Sequence, residues 1–425
     1  MLRRWCAASG LLVAACTTPA PFPPDPTAAS PPAVASTAEA TVTETPRPTQ
    51  KVLRLWVQPK FDPKADTVAG AELLEQLQRF EQANSGTQVE VRVKRALGAG
   101  GMIDSIRTGL TAAPGALPDV IAIDARNLDA AAADDLILTL DALVNPDIMA
   151  DYYPFALESG SRNGNLMGLP FAAEALVAAY ANTAYGQPPT SWAAVLENAS
   201  SVIIPAADPQ SLFAVQQYFS LGGSLRNRSG AVALNPTVLT ELLEIYAAAG
   251  AAGVLTTDTL DFGSGAETWA AYLESREPLL VITSAHSYLQ GAANATNTGA
   301  GPAPTQDGKP YTLAETWYYA LVRTDMARES GAWELLDWLL QPQNLGTWAL
   351  KAGYLPPRAD AVASWPPEAP ADFAHLVLAA AHPKPDAETL AIIGPPLGKA
   401  VRNVIGGDAT SSAAAREVIQ EITAD

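Results

Sequence analysis

A single carboxylate interrupts a long apolar run in the first half of the chain. Glu174 is the only charged residue in the segment Gly168-Leu169-Pro170-Phe171-Ala172-Ala173-Glu174-Ala175-Leu176. An ionised carboxylate with apolar neighbours on both sides needs hydrogen-bond donors, because leaving it unpaired costs free energy. The donor is either a hydroxyl or amine of a bound molecule, or a nearby helix N-terminus or arginine. Glu174 is therefore the first candidate for a ligand-binding residue.

The residue types that most often carry catalysis form no recognisable motif. The three histidines, His286, His375 and His382, are too scattered along the chain to suggest a metal site. No Gly-x-Ser-x-Gly nucleophile motif occurs. Residues 394–400 are one residue short of a phosphate-binding loop and lack its Ser or Thr. We therefore expect no catalytic residue, no metal and no cofactor.

Paired carboxylates keep one enzyme alternative open. Asp134 and Asp135 are adjacent on a predicted helix, so their side chains point in different directions. A surface glycosidase needs two carboxylates at a defined separation, and a sequence does not give that separation. A third alternative is an interaction protein that carries no small ligand.

Polar and aromatic side chains follow the first and third predicted strands. Strand ends are where ligands bind in open α/β sheets, and mixed carboxylate, amide and aromatic groups suit a polar solute. The alternative is that the tryptophan fills the core and the charged residues lie in solvated loops. The candidates are Trp56, Gln58, Lys60, Asp124, Arg126 and Asn127.

The chain is acidic, and its basic residues are not clustered. Its formal net charge is −18 over 425 residues. Nucleic-acid binding needs clustered lysine and arginine to neutralise phosphates, and no cluster follows Arg3-Arg4. We exclude nucleic acid as a partner and interpret the acidity as a source of solubility. The length suggests about two or three domains.

The N-terminal segment has the features of a secretory signal. The basic start Met1-Leu2-Arg3-Arg4 precedes an apolar stretch that is too short to span a bilayer. Val13-Ala14-Ala15-Cys16 resembles the lipobox of bacterial lipoproteins, in which the cysteine is acylated. Residues 17–50 contain nine prolines and eight threonines, so we expect a disordered tether. We predict a signal peptide over residues 1–16 and a lipid anchor on Cys16.

Strand and helix patterns alternate once the tether ends. Residues 52–57, 89–93 and 119–123 have the composition of buried or half-buried strands, and residues 71–80 form a helix with one apolar face. This alternation predicts a parallel sheet covered by helices, which is the α/β class. After Val177 helical patterns predominate, and we expect a second lobe there.

Seven short blocks, in a fixed order, extend this interpretation over nearly all of residues 51–425. They are Leu53-Arg54-Leu55-Trp56, Leu117-Pro118-Asp119-Val120-Ile121, Phe171-Ala172-Ala173-Glu174-Ala175-Leu176, Pro188-Pro189-Thr190-Ser191-Trp192, Gly222-Gly223, Gly353-Tyr354-Leu355-Pro356-Pro357-Arg358 and Val404-Ile405-Gly406-Gly407. In their order and spacing they resemble the extracellular solute-binding proteins of ABC importers, in the family that includes maltose-type sugar-binding proteins.

The resemblance implies a two-lobed, periplasmic-binding-protein-like fold of type II with the ligand cleft between the lobes. Lobe one would comprise residues 51–171 and 300–357, and lobe two residues 172–299 and 358–425. The implied function is to capture a small solute, which we expect to be a sugar, and to deliver it to ABC permease subunits. The protein would be a monomer, lipid-anchored on the outer face of the cytoplasmic membrane.

The resemblance also implies which residues contact the solute. Glu174 matches the acidic position of the family's first crossing segment, which commonly binds a sugar hydroxyl. His286 stands near the family's stacking tryptophan and leaves Tyr288 as the nearby aromatic residue, which weakens the expectation of a malto-oligosaccharide. Trp317 and Tyr318 would line the second crossing.

Overall fold

Strands and helices alternate along the chain, of which the computed structural model describes residues 51–275, 277, 279–324 and 326–424. The predicted signal peptide, Cys16 and the tether lie outside the described residues. The strands are β1 (Lys51–Val57), β2 (Thr87–Val93), β3 (Val120–Asp124), β4 (Ser161–Arg162), β5 (Asn165–Leu166), β6 (Leu169–Ala181), β7 (Val202–Ile203), β8 (Leu280–Ser284), β9 (Thr298–Gly301), β10 (Thr312–Leu321) and β11 (Ala381–Pro383). The helices are α1 (Val68–Ala83), α2 (Met102–Ala112), α3 (Ala125–Ala133), α4 (Pro146–Asp151), α5 (Pro154–Gly160), α6 (Trp192–Asn198), α7 (Leu212–Ser220), α8 (Pro236–Ala251), α9 (Gly265–Glu274), α10 (Ala285–Gly291), α11 (Met326–Leu340), α12 (Pro342–Ala352), α13 (Ala359–Ala363), α14 (Ala371–Ala379), α15 (Ala387–Ile405) and α16 (Ser411–Ala424).

The main sheet has the strand order β2-β1-β3-β10-β6-β8-β7, with β11 beside β10 and β9 beside β6. Strand β1 is parallel to β2 and β3, whereas β10 is antiparallel to β3 and β6. The predicted α/β class is confirmed. The sheet is mixed rather than purely parallel, because β10 returns from far along the chain to pair between β3 and β6.

Strand β6 contributes to two hydrophobic cores. The first core is built mainly by α1, α11 and α12 against β1, and the second by α7, α8, α15 and α16. Val177 and Ala179 belong to the first core, while Leu176, Ala178 and Tyr180 belong to the second. This division follows from the two-residue period of a strand, which sends successive side chains to opposite faces.

Helices α13 and α14 follow the predicted lobe boundary at residue 357. Their residues Val362, Phe373 and Val377 belong to the first core, so this part of the chain packs with residues before the boundary. The lobe boundaries themselves stay a prediction. None of the helices in the described part of the chain is both long and apolar enough to span a membrane.

A short segment after α12 is held tightly against β6. Gly353 ends α12 in the left-handed region at a φ of 71°, which favours glycine. The backbone of Leu355 then exchanges hydrogen bonds of 2.8 and 3.0 Å with Ala173. At the end of the segment, Arg358 Nε lies 2.6 Å from Asp151 Oδ2, and both side chains are buried or nearly so. These contacts fix Tyr354, which lies between Gly353 and Leu355, beside the middle of β6.

We expect removal of one partner of the Arg358–Asp151 ion pair to destabilise the fold strongly. Asp151→Ala leaves the Arg358 guanidinium buried without its partner, which costs about 3–5 kcal/mol in the free energy of unfolding. Urea denaturation measures this loss. Asp147→Ala, on the exposed side of the same helix α4, is the matched control and should cost less than about 1 kcal/mol. Equal losses in the two variants would contradict a stabilising role for the pair.

Candidate functional site

Glu174 lies in the middle of β6 and beside the N-terminus of α10. Its carboxylate accepts hydrogen bonds from the backbone N–H of Ala175 at 2.8 Å and of His286 at 3.2 and 3.3 Å. His286 is the second residue of α10, where backbone N–H groups have no partner within the helix. The hydrogen-bond donors that we expected for Glu174 are thus backbone N–H groups, including one at a helix N-terminus, which is the second of the two sources considered above. Contact between Glu174 and a solute stays a prediction.

Burial controls the protonation of Glu174. Desolvation raises the pKa of Glu174 to about 8, and the negative charge of Glu315 adds to this rise. Hydrogen bonds from the backbone of His286 and Ala175 act in the opposite direction without cancelling it. Near neutral pH, both the protonated and the ionised forms of Glu174 are therefore accessible.

A second carboxylate, which the sequence analysis missed, lies directly opposite Glu174. Glu315 of β10 is paired with Glu174 in the antiparallel register, so the two side chains are neighbours on one face of the sheet. Lys384, just after β11, places its Nζ atom 3.1 Å from Glu315 Oε2. Glu315 is the only charge in the apolar strand β10, so the criterion that identified Glu174 also identifies Glu315. Lys384 has no comparable signal in the sequence.

Lys60 extends from the turn after β1 onto an aromatic ring. Its ammonium nitrogen lies 3.5 Å from the ring centre of Trp317 and 5.4 Å from that of Phe61. Desolvation lowers the pKa of Lys60, while the charges of Glu315 and Asp124 oppose this shift. The structure therefore brings two of the predicted residues, Lys60 and Trp317, together near the carboxylates.

Three other predicted residues form a closed hydrogen-bond group at the end of β3. Asp124 caps the N-terminus of α3 by accepting from the backbone N–H of Asn127 at 2.9 Å. It also accepts from Gln58 Nε2 at 2.8 Å and from Asn127 Nδ2 at 3.0 and 3.1 Å. This arrangement orients the start of α3 and satisfies the carboxylate without a ligand.

A cavity of about 590 Å³ extends from this group along the edge of β10. Asp124, Arg126, Glu315 and Lys384 lie in its wall, together with Arg226 from the turn before α8. The size is within the range of small-molecule sites. Arg126 is exposed, as expected for a residue that can reach a solute.

His286 and Tyr354 complete the group around Glu174. Their ring centres are 5.3 Å apart, and the ring of Tyr354 is also 5.3 Å from that of Trp317. Burial lowers the pKa of His286, which favours its neutral imidazole. Burial raises the pKa of Tyr354 to about 12, so Tyr354 keeps its hydroxyl proton. Tyr354 was part of a family block in the sequence but was not proposed as a contact. No cluster of metal-ligating side chains occurs within the described ranges.

Three predicted residues are core residues instead. Trp56 is 4% exposed and packs in a core with Met102 and Ile106 beneath α2, because its side chain lies on the opposite face of β1 from the first core. Tyr288 packs against Phe373, with ring centres 4.8 Å apart. Tyr318 is fully buried in the same core as Trp56, although it forms part of the cavity wall. The structure does not bring these three to the group around Glu174.

The raised pKa of Glu174 predicts a pH dependence of stability. An ordinary glutamate in the unfolded chain loses its proton near pH 4.5, whereas Glu174 in the folded protein loses it near pH 8. Between these values the folded state binds more protons, so the contribution of Glu174 to the free energy of unfolding falls as pH rises. Glu174→Gln should remove this contribution. The free energy of unfolding, measured by denaturant unfolding at a series of pH values, should then depend less on pH.

Glu75→Gln, on the exposed face of α1, is the control for the loss of one carboxylate. It should leave the profile as in the wild type. A Glu174→Gln profile with the wild-type slope from about pH 4.5 to about pH 8 would show that Glu174 titrates normally.

Three solved structures from sugar-binding proteins share this fold. The cyclic alpha-maltosyl-1,6-maltose binding protein from Arthrobacter globiformis is 16% identical, with a TM-score of 0.68 over 88% of this chain and 98% of that one. The sugar-binding protein MalE from Xanthomonas citri is 18% identical, with a TM-score of 0.70 over 88% and 98%. The Thermus thermophilus maltotriose binding protein is 18% identical, with a TM-score of 0.59 over 88% and 99%.

The family relationship rests on a match between the sequence and a family profile. No curated protein matches the chain. The profile of the bacterial extracellular solute-binding proteins matches residues 75–375, which include β3, β6, β8 and β10 and therefore Glu174 and Glu315. This match confirms the resemblance inferred from the sequence blocks and implies an extracytoplasmic location. The chain belongs to the bacterial extracellular solute-binding protein family.

Proposed function

We propose that this protein captures a small sugar at the group around Glu174 and delivers it to the permease of an ABC importer. The observation that carries the proposal is a group of charged side chains centred on the adjacent strands β6 and β10. Glu174 and Glu315 are paired across these strands, Lys384 contacts Glu315, and the charges of both carboxylates act on Lys60. Sugar hydroxyls both donate and accept hydrogen bonds, so adjacent carboxylates and ammonium groups suit them.

The similar structures support a sugar as the solute. The proteins in them are described as binding cyclic alpha-maltosyl-1,6-maltose, sugar and maltotriose. The identities of 16 to 18% carry the fold alone, so the choice of sugar comes from the site itself. Carboxylates at the centre, cations at the sides and the ring of Tyr354 form a site for an uncharged polyhydroxylated molecule.

The proposal includes closure of two lobes around the sugar. Residues 51–171 and 300–357 would form lobe one, and residues 172–299 and 358–425 lobe two. The second core supports this division in part, because its helices α7, α8, α15 and α16 all lie in the proposed lobe two, whereas α13 and α14 pack with the first core. A solute that contacts both lobes binds the closed form better than the open form and therefore favours closure.

The proposal assigns no catalytic activity. A glycosidase needs one carboxyl group that donates a proton and a second that attacks or activates water. Here Glu174 is bonded to backbone N–H groups and Glu315 to Lys384, and the family consists of binding proteins. Release of free sugar from a glycoside by the purified protein would contradict this part of the proposal.

Glu174→Gln should weaken sugar binding without unfolding the protein. If the ionised carboxylate accepts a hydrogen bond from a sugar hydroxyl, its loss costs about 1.5–3 kcal/mol, or roughly ten- to a hundredfold in affinity. Because protonation competes with this bond, wild-type affinity should also rise as pH approaches 8. Calorimetric titration with a sugar identified by a thermal-shift screen measures both effects.

If Glu174→Gln leaves the affinity for the sugar unchanged and lowers the melting temperature, Glu174 has a structural role and does not bind the sugar. A screen in which no sugar raises the melting temperature of the wild type would argue against a sugar as the solute.

The lipid anchor is tested independently of the cleft. We propose that Cys16 is acylated and that residues 17–50 hold the folded part away from the membrane. Cys16→Ser should release the protein from the membrane fraction into the soluble fraction after cell fractionation. Continued membrane association of this variant would mean that the anchor lies elsewhere.

A further inference from the structure

The aromatic side chains near Glu174 offer very little ring surface to a ligand. We call Phe61, Phe171, Trp317, Trp348 and Tyr354 the aromatic cluster. Four of them are between 1% and 5% exposed, and only Tyr354 is partly exposed. One side of Tyr354 is covered, because Trp348 lies nearly parallel to it with an interplanar angle of 14°.

The ring of Trp317 is occupied by the protein itself. Trp317 lies on β10 two residues after Glu315, so its side chain starts from the face of the sheet that carries the carboxylates. The ammonium group of Lys60 lies 3.5 Å from the centre of this ring, which is the geometry of a cation–π contact. A sugar ring therefore cannot stack on Trp317 while Lys60 stays in place.

The cavity beside Glu315 has room for more than one sugar ring but gives no stacking surface. Among the described residues in its wall, Tyr318 is the one aromatic side chain, and it is fully buried. The remaining wall combines small alanine and proline side chains with charged ones, including Arg126, Arg226 and Lys384. Extra sugar units there would meet small aliphatic and charged side chains, and not the flat face of an aromatic ring for their C–H groups.

We propose, on the basis of the proposed function, that the site recognises one hydrophilic ring, a monosaccharide or a cyclitol, and that added sugar units bring no gain in affinity. The sugar or cyclitol ring is held by Glu174, Glu315 and Lys60, and Tyr354 is its stacking partner. Lys60 determines this specificity, since it donates hydrogen bonds to the ring and also blocks the face of Trp317 on which a longer saccharide would stack.

The first test compares ligands of different length on the full wild-type chain. Calorimetric titrations are made with D-glucose, D-galactose, D-mannose, D-xylose and myo-inositol, and with maltose, maltotriose and maltotetraose. We expect at least one single-ring compound to bind at least as tightly as any of the longer saccharides. Affinity that rises about tenfold or more from every single-ring compound to maltotriose would overturn the inference and leave the proposed function intact. Absence of binding by all these compounds would reject both.

The second test removes the Lys60 side chain that covers the ring of Trp317. Lys60→Ala should weaken binding of the best single-ring compound about tenfold or more, because charge-assisted hydrogen bonds are lost. It should weaken maltotriose less, so the ratio of the two affinities shifts toward the longer sugar. The fluorescence of the uncovered tryptophan should then change when maltotriose is added.

Lys64→Ala is the matched control, because Lys64 is exposed four residues away and carries the same charge. It should leave all affinities as in the wild type. Far-ultraviolet circular dichroism and the melting temperature verify that both variants are folded. Equal weakening of both sugar classes by Lys60→Ala would show that Lys60 does not determine ligand length and would contradict its assigned role.

Discussion

Two carboxylates are paired on two strands whose other residues are almost all buried. The need to stabilise these two charges determines much of the local structure. β6 and β10 are almost wholly apolar because each packs on both faces, yet Glu174 and Glu315 are paired across them. A buried carboxylate is stable only with donors or a proton. The N-terminus of α10 supplies donors to Glu174, and desolvation raises the pKa of Glu174 so that it can also hold a proton. Glu315 is partly exposed and pairs with Lys384.

The elements around this pair are held by contacts remote from it. Gly265 at the start of α9 approaches the backbone of β8 so closely that a Cβ atom would lie 2.5 Å from Ser284 N, which keeps the end of β8 and the beginning of α10 in position. The Arg358–Asp151 ion pair holds the segment that carries Tyr354. The capping group at Asp124 orients α3 beside the cavity. The ion pair joins residues 207 positions apart and the Gln58–Asp124 hydrogen bond residues 66 positions apart, so the geometry of the site depends on the whole fold.

The protein shares its fold with sugar-binding proteins, and charged side chains rather than exposed aromatic rings surround Glu174. The buried tryptophans Trp56, Trp192 and Trp317 fill space in the cores or lie under another side chain, and His286 stands where the family resemblance led us to expect a stacking tryptophan. A site dominated by charge selects ligands by the placement of hydroxyl groups, whereas a site dominated by rings gains affinity from contact area. This distinction is the basis of the single-ring specificity proposed above.

The sequence by itself determined the α/β class, the family and Glu174 as the lone charge of an apolar segment. These follow from local patterns, namely apolar periodicity, short ordered blocks and a lone carboxylate in an apolar strand. The same lone-charge pattern marks Glu315 within β10. Only the tertiary structure decided that Glu174 and Glu315 are neighbours, that Lys384 and Tyr354 join them, and that Trp56, Tyr288 and Tyr318 are core residues. The physical reason is that strand register and the choice of which face a side chain occupies depend on pairing between segments more than a hundred residues apart, and no local pattern encodes that pairing.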